Sequence, residues 1–234
     1  MRRALLIFGL SASLLAFAAV PSRAQLPDGP IPQLPPASFD KSAQEIDGVA
    51  ARIEDDIITE SEVHELAAFQ ILVDGKAKSR QELLRELTDQ WMIRNEATAA
   101  KFGQPSAADV DRAYSEFVKQ FPSPDDFKKR CAAAGLTEAA VRRMVARQLY
   151  LSRFIDYRFR PSAQVSDQQV QTYYQDEFSP QLKARNQPVP PLDDVEDTIR
   201  EVLIQRAIND RATKWLDDTR GGLRIDIMSQ GSGS

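Results

Sequence analysis

The chain has 234 residues, 30 basic and 34 acidic, with a formal net charge of −4. That length accommodates one sizeable domain or two small ones, and no basic block supplies the positive footprint that nucleic acid demands. With one His and one Cys there is neither metal-ligand spacing nor an intramolecular disulfide, so no metal and no cofactor is expected.

Residues 1–24 read as an export signal. Arg2 and Arg3 precede an apolar run, Ala4 to Val20, that carries no charge. Ser22-Arg23-Ala24 puts small residues where a signal peptidase reads, so cleavage is expected between Ala24 and Gln25, with a periplasmic destination. The alternative is an uncleaved membrane anchor, for which the run is slightly short. Gln25 stands where a lipoprotein would need Cys. Cleavage would remove three Arg and no acid, leaving 27 basic against 34 acidic residues, a net charge of −7, and no stable membrane span. Residues 25–45 contain Pro27, Pro30, Pro32, Pro35 and Pro36 without apolar periodicity. They read as an extended, disordered tether.

The folded part is expected to start at residue 46. Val49, Ala51 and Ile53 alternate with Ala50 and Arg52, the period of a half-buried strand. Glu54-Asp55-Asp56 is a polar break before Ile57-Ile58, which together predict a tight hairpin. Thr59 and Glu62 form a capping box that sends the second strand into a helix to about Val73, ended by Asp74-Gly75. Ser79 and Glu82 cap a helix to Phe102, with Gly103 and Pro105 closing it. Ser106 starts another, in which Val110, Tyr114, Phe117, Val118 and Phe121 share one face before Pro122. Ser123-Pro124-Asp125-Asp126 opens a short helix to Ala134, ended by Gly135. Thr137 caps a long helix to Arg160, stopped by Pro161.

Val165 to Phe178 reads as a short helix, and Ser179 to Leu192 as a loop with four prolines. Asp193 to about Arg220 is the longest helical segment. Gly221-Gly222 ends it, and Leu223 to Ile227 alternates as a strand. A two-stranded hairpin is marginal alone, so this last strand is assigned as its third. Residues 229–234 read as a flexible tail. The expected fold is therefore mainly α, with a small antiparallel sheet joining the N-terminal hairpin to the C-terminal strand. Residues 46–178 and 193–228 complete one domain around the 179–192 connection.

No catalytic pattern emerges. Asp55-Asp56 and Asp193-Asp194 suit a turn and a helix start. His64 has no evident partner for general-base work, and Cys131 sits among alanines as a small core residue. There is no phosphate loop and no nucleophile elbow.

The order of elements resembles the SurA-type periplasmic chaperones and the related SurA-like peptidyl-prolyl isomerases. Those proteins open with a signal peptide and a hairpin reading roughly V-A-x-V-N-D-x-V-I-T before a capped helix. Residues Val49-Ala50-Ala51-Arg52-Ile53-Glu54-Asp55-Asp56-Ile57-Ile58-Thr59 are similar, with Glu54 in place of the usual Asn. Val165-Ser166-Asp167-Gln168-Gln169-Val170-Gln171-Thr172-Tyr173-Tyr174 resembles the family's linker-helix entry, and Val195 to Ile227 its terminal helix and strand. The enzyme members carry a parvulin domain of about a hundred residues between these last two segments. Here only Ser179 to Leu192 lies there, too few to fold as a domain. The resemblance thus implies the chaperone part alone, binding unfolded or nascent envelope polypeptides without ATP.

The candidate client-binding residues are aromatic: Tyr114, Phe117, Phe121, Tyr150, Phe154, Tyr157, Tyr173, Tyr174 and Phe178. Tyr150, Phe154 and Tyr157 form a second apolar row on their helix, beside the Val141–Val145–Gln148–Ser152 row. One row would face the fold, and the other a client or the long terminal helix. The expected function is a periplasmic holdase and not an enzyme. The alternatives are a peptidyl-prolyl isomerase, disfavoured by the missing parvulin domain, and an assembly protein with one dedicated envelope partner. A monomer or a dimer that swaps the terminal helix would both fit.

Overall fold

A computed structural model describes residues 47–228 of the chain. The expected signal, the 25–45 tether, residue 46 and the 229–234 tail lie outside the described residues. The architecture is mainly α-helical with one three-stranded antiparallel sheet in the order β2-β1-β3.

β1 (Val49–Ile53) and β2 (Asp56–Thr59) form the hairpin, with Ile53 opposite Asp56 and Ala51 opposite Ile58. β3 (Ile225–Ile227) pairs with the other edge of β1, placing Ile225 against Ile53 and Ile227 against Ala51. The hairpin therefore obtains its third strand from the far end of the folded region. A register shift between Val49 and Ala51 marks a bulge, and Ala50 and Ala51 are both buried. A bulge re-aims one residue out of strict alternation, which lets adjacent alanines both escape solvent.

The hairpin tip departs from ideal geometry. Glu54 has φ 51°, a left-handed conformation that Asn or Gly reaches more readily than Glu. β3 compensates there. The Glu54 N–H donates to the Arg224 carbonyl at 3.0 Å, and the Arg224 N–H donates to the Glu54 carboxylate at 2.8 Å. The Arg224 backbone N–H, with its guanidinium, holds the Glu54 carboxyl below the usual range.

β2 runs directly into α1 (Glu60–Asp74). Thr59 and Glu62 make the reciprocal capping box, and Gly75 closes the helix with φ 74°. α2 (Arg80–Ala99) starts from the Ser79–Glu82 box and buries Leu83, Leu84, Leu87, Trp91, Met92, Ile93 and Ala97. Trp91 Nε1 donates to the Asp56 carboxylate at 2.8 Å, tying α2 to the hairpin. α3 (Ala107–Val118), α4 (Pro124–Ala133) and α5 (Glu138–Phe159) begin at Ser106, Ser123 and Thr137, each of whose hydroxyls accepts a first-turn N–H. These caps satisfy donors that a helix start otherwise leaves open.

Two sequence expectations are corrected. Gly103 does not close α2. Lys101 takes the left-handed position, with φ 53°, and Phe102 N–H donates to the Ala97 carbonyl while Lys101 N–H donates to that of Thr98. This is a Schellman ending, in which the residue after the left-handed one is commonly apolar and packs back. Phe102 does so: half-buried, its ring packs against Tyr150, Phe154 and Tyr157.

The Ser179–Leu192 stretch is also not simply a loop. After a 3₁₀ turn at Arg160–Ser162, α6 (Asp167–Tyr173) passes through a π-helical turn, Tyr174–Phe178, into α7 (Ser179–Ala184). Pro180 lies in the first turn of α7, where its missing N–H costs nothing. Asn186, with φ 54°, ends α7 through bonds from Gln187 N–H to the Leu182 carbonyl and Asn186 N–H to that of Lys183. Residues 187–191 then lead to α8 (Leu192–Arg220).

α5 is the central helix, packed by α3, α2 and α8. Val141, Met144 and Val145 share a core with Phe69 and Leu72 of α1 and Phe127 and Cys131 of α4. Burying a side chain of this size contributes about 1.5–3 kcal/mol. α8 inserts Ile199, Ile208, Ala212 and Leu216 and delivers β3 to the sheet. Its C-terminal end is anchored by Arg220, which pairs with the mostly buried Asp89 of α2 and with Asp217 at 2.7 Å, while Arg85 reaches Asp217 at 2.9 Å. Among the described residues, no helix is long and apolar enough to cross a membrane.

Candidate functional site

The aromatic candidates do not converge on one groove. The fold distributes them over three places with different exposure.

The first group surrounds Phe127 of α4. Tyr114, Phe117 and Phe121 of α3 and its C-terminal turn pack edge-on or tilted against that ring, with centroids 6.1, 6.2 and 5.1 Å away. Phe117 also stacks on Phe69 at 5.5 Å. The helical spacing of these three residues brings them together, as the sequence indicates. Phe127 and Phe69 are buried, but Tyr114, Phe117 and Phe121 are each only partly so. Guanidinium groups edge this surface: Arg142 lies 5.8 Å from the Tyr114 centroid and Arg130 lies 5.7 Å from that of Phe121. Ile71 and Val73, on the last turns of α1, remain exposed.

The second group is core. Tyr150 and Phe154 are buried, Phe154 to within 1 % of complete. Their partner is Phe102, with centroids at 5.8 and 5.5 Å, and the Tyr150 hydroxyl lies 3.4 Å from the Phe102 carbonyl. In the second apolar row of α5, Tyr150 and Phe154 thus pack against the ending of α2. Tyr157 alone keeps access: it sits 5.2 Å from Phe102 yet is 63 % exposed. Phe102 is missing from the sequence-derived candidates. Its signal is its place just past a helix end, where an apolar residue packs backwards.

The third group is on the α6–π turn. Tyr174 stacks on Phe178 at 5.9 Å and donates its hydroxyl to the Pro190 carbonyl at 2.8 Å, closing the 185–191 connection against the helix. Tyr173 points elsewhere. It lines an open groove of about 410 Å³ between α6 and α8, with Gln168, Gln169, Thr172, Asp176, Glu177 and Leu203. Arg206 of α8 lies against two of these residues. Its guanidinium lies 4.6 Å from the Tyr173 centroid and forks onto Glu177 at 3.0 and 2.9 Å. A forked Arg–carboxylate pair fixes direction as well as charge. Hydrogen bonding to Glu177 first, against the opposing effect of burial, raises the Arg206 pKa.

The groups capable of covalent or acid–base chemistry are positioned otherwise. Cys131 is a free, buried thiol whose pKa is pushed up by burial and then by Glu138. Tyr114 donates to Glu138 at 3.2 Å, and burial followed by that carboxylate pushes its phenol up to about 12. Neither ionises near neutrality, so neither is an activated nucleophile. His64 is exposed on α1. Asp56 is engaged by Trp91, and Asp193 and Asp194 occupy the first turn of α8. Among the described residues, no three His, Cys, Asp or Glu side chains are grouped so as to hold a metal ion.

No family model matches the chain, and no curated protein is significantly similar to it.

Proposed function

We propose that the chain is an exported, ATP-independent holdase that binds unfolded envelope polypeptides on partly exposed aromatic surfaces. The observation that carries this reading is the Tyr114–Phe117–Phe121 surface. Three aromatic rings rest on a rigid buried floor, Phe69 and Phe127, while part of each faces solvent. Aromatic rings offer large apolar area at low conformational cost. An unfolded segment docked there would lose apolar area to water at about 25 cal/mol per Å², opposed by the entropy of ordering it. The balance favours weak, reversible capture, which suits a chaperone that works without a nucleotide.

The guanidinium rim adds selectivity. Arg130 and Arg142 are drawn to the rings of Phe121 and Tyr114 respectively and would equally approach aromatic rings of a client. The buried pairing of Tyr150 and Phe154 removes both from this role, leaving Tyr157 as a peripheral contact.

The test is suppression of aggregation. A urea-unfolded β-barrel outer-membrane protein is diluted with and without the equimolar chain, and light scattering is followed. Suppression is expected, and the Phe117→Ser/Phe121→Ser variant should lose most of it while keeping its helical circular dichroism. Unchanged scattering with the native chain sinks the proposal. A proline-isomerisation assay on a short peptide should proceed at the buffer rate.

A further inference from the structure

We propose that the α6–α8 groove is a second docking site, specific for an extended polypeptide segment that carries Arg or Lys beside an apolar residue. This rests on the chaperone reading and names a sequence class for its clients. Three features point to it. The groove is open and about 410 Å³, the size that takes one or two side chains. Its floor is Leu203, and its walls carry Tyr173 and two successive carboxylates, Asp176 and Glu177. These carboxylates sit on a π-helical turn, an irregularity that re-aims side chains and recurs at functional sites.

The charge distribution selects the occupant. Glu177 is satisfied by the forked bond from Arg206. Asp176, its neighbour, is exposed and makes no ion pair among the described residues. Arg206 displays the chemistry this wall accepts: a guanidinium over Tyr173 and against a carboxylate. A client Arg or Lys would repeat that contact at Asp176. The adjacent client side chain would lie on Leu203, and Gln168, Gln169 and Thr172 would meet the extended backbone with donors and acceptors. This site differs from the α3 surface, where the rim is cationic and the walls are aromatic. An acidic segment is disfavoured in the groove because the Arg206 guanidinium is already engaged by Glu177, which leaves the Asp176 carboxylate as the charge on offer.

Short fluorescein-labelled peptides with Leu-Arg-Leu, Leu-Gln-Leu or Leu-Glu-Leu at the centre of Gly/Ser flanks test the proposal by anisotropy with the full chain. Affinity should fall in that order, and the Arg peptide should weaken at higher salt. Asp176→Arg should weaken the Arg peptide by about fivefold or more and favour the Glu peptide instead, because like charge replaces opposite charge. Glu116→Arg, an exposed acid on α3, should leave the order intact. Circular dichroism confirms that each variant is folded, and Leu203→Asn gives an independent readout of the groove floor, weakening all three peptides. An order unchanged by Asp176→Arg overturns the proposal, as does failure of every peptide to bind a chain that still suppresses aggregation. Failure of the native chain to suppress aggregation strikes instead at the holdase reading.

Discussion

Replacing Arg220 by Met probes the anchor that holds α8 and β3 in place. The Arg220 and Asp89 side chains are only 20 % and 12 % exposed, so the pair is largely removed from water. Taking away the cation leaves Asp89 buried without its partner, which costs about 3–5 kcal/mol for fully buried pairs. The residual exposure and nearby Arg85 reduce this to about 2–3 kcal/mol. Asp89→Leu should cost less, because Arg220 keeps Asp217 at 2.7 Å. The double variant Asp89→Leu/Arg220→Met replaces the pair with apolar groups and should lie within about 1 kcal/mol of the native chain. Urea unfolding followed by circular dichroism gives all four stabilities, and the cycle gives the coupling. The pH dependence supplies a second check. Burial raises the Asp89 pKa even with its partner present, and losing Arg220 raises it further. A carboxyl whose folded pKa lies above its unfolded value favours folding in its protonated form, and that contribution is lost as pH rises through the folded pKa. The Arg220→Met penalty should therefore shrink on acidification from pH 8 to pH 5. Additive single-variant costs, or a penalty that grows on acidification, would refute the reasoning.

Deleting residues 223–228 should abolish cooperative unfolding, since it uncovers β1 and strips Glu54 of both backbone bonds to Arg224; a deletion variant as stable as the native chain in urea would disprove the clasp. Phe102→Ala should destabilise by about 2–4 kcal/mol, the range for truncating a packed aromatic, with a loss of near-ultraviolet signal from Tyr150. Asp109 is held at about 2 by hydrogen bonds from Arg153 and Ser106, against an ordinary value of 3.8. A depressed carboxyl stabilises the fold above its unfolded pKa, and the contribution disappears as pH falls through the folded one. The α3 start should accordingly loosen between about pH 4 and pH 2, seen as a carboxyl titration by NMR, and Arg153→Gln should move that titration upward.

The local grammar of this fold is written in short range. Thr59, Ser79, Ser106, Ser123, Thr137 and Ser166 each stand where a helix begins, because a side-chain oxygen that meets a free N–H is a property of a few neighbouring residues. The alternation of Leu223 to Ile227 and the incompleteness of a lone hairpin were enough to bring the two segments together, since an unpaired strand edge needs a partner. The spacing of Tyr114, Phe117 and Phe121 likewise gave their common face.

Long-range packing decided the rest. Apolar periodicity shows that α5 has two faces but is silent on what covers them. The covering of Tyr150 and Phe154 by Phe102, dozens of residues away, required the chain to turn at Lys101 in a conformation that local propensity would have assigned to Gly103. The α7 turn escaped because four prolines suggested a loop, while Pro180 lies in the first turn of α7, where a proline is tolerated. The α6–α8 groove is equally a product of tertiary structure. Tyr173, Asp176, Leu203 and Arg206 come from two segments separated by the 185–191 connection, and only their docking sets Asp176 and the apolar Leu203 beside the Tyr173 ring and the Arg206–Glu177 pair. Sequence alone thus determined where the side-chain-capped helices begin and which strands close the sheet; the packed structure determined which aromatic rings are core and which stay exposed, because burial depends on neighbours that no local pattern encodes.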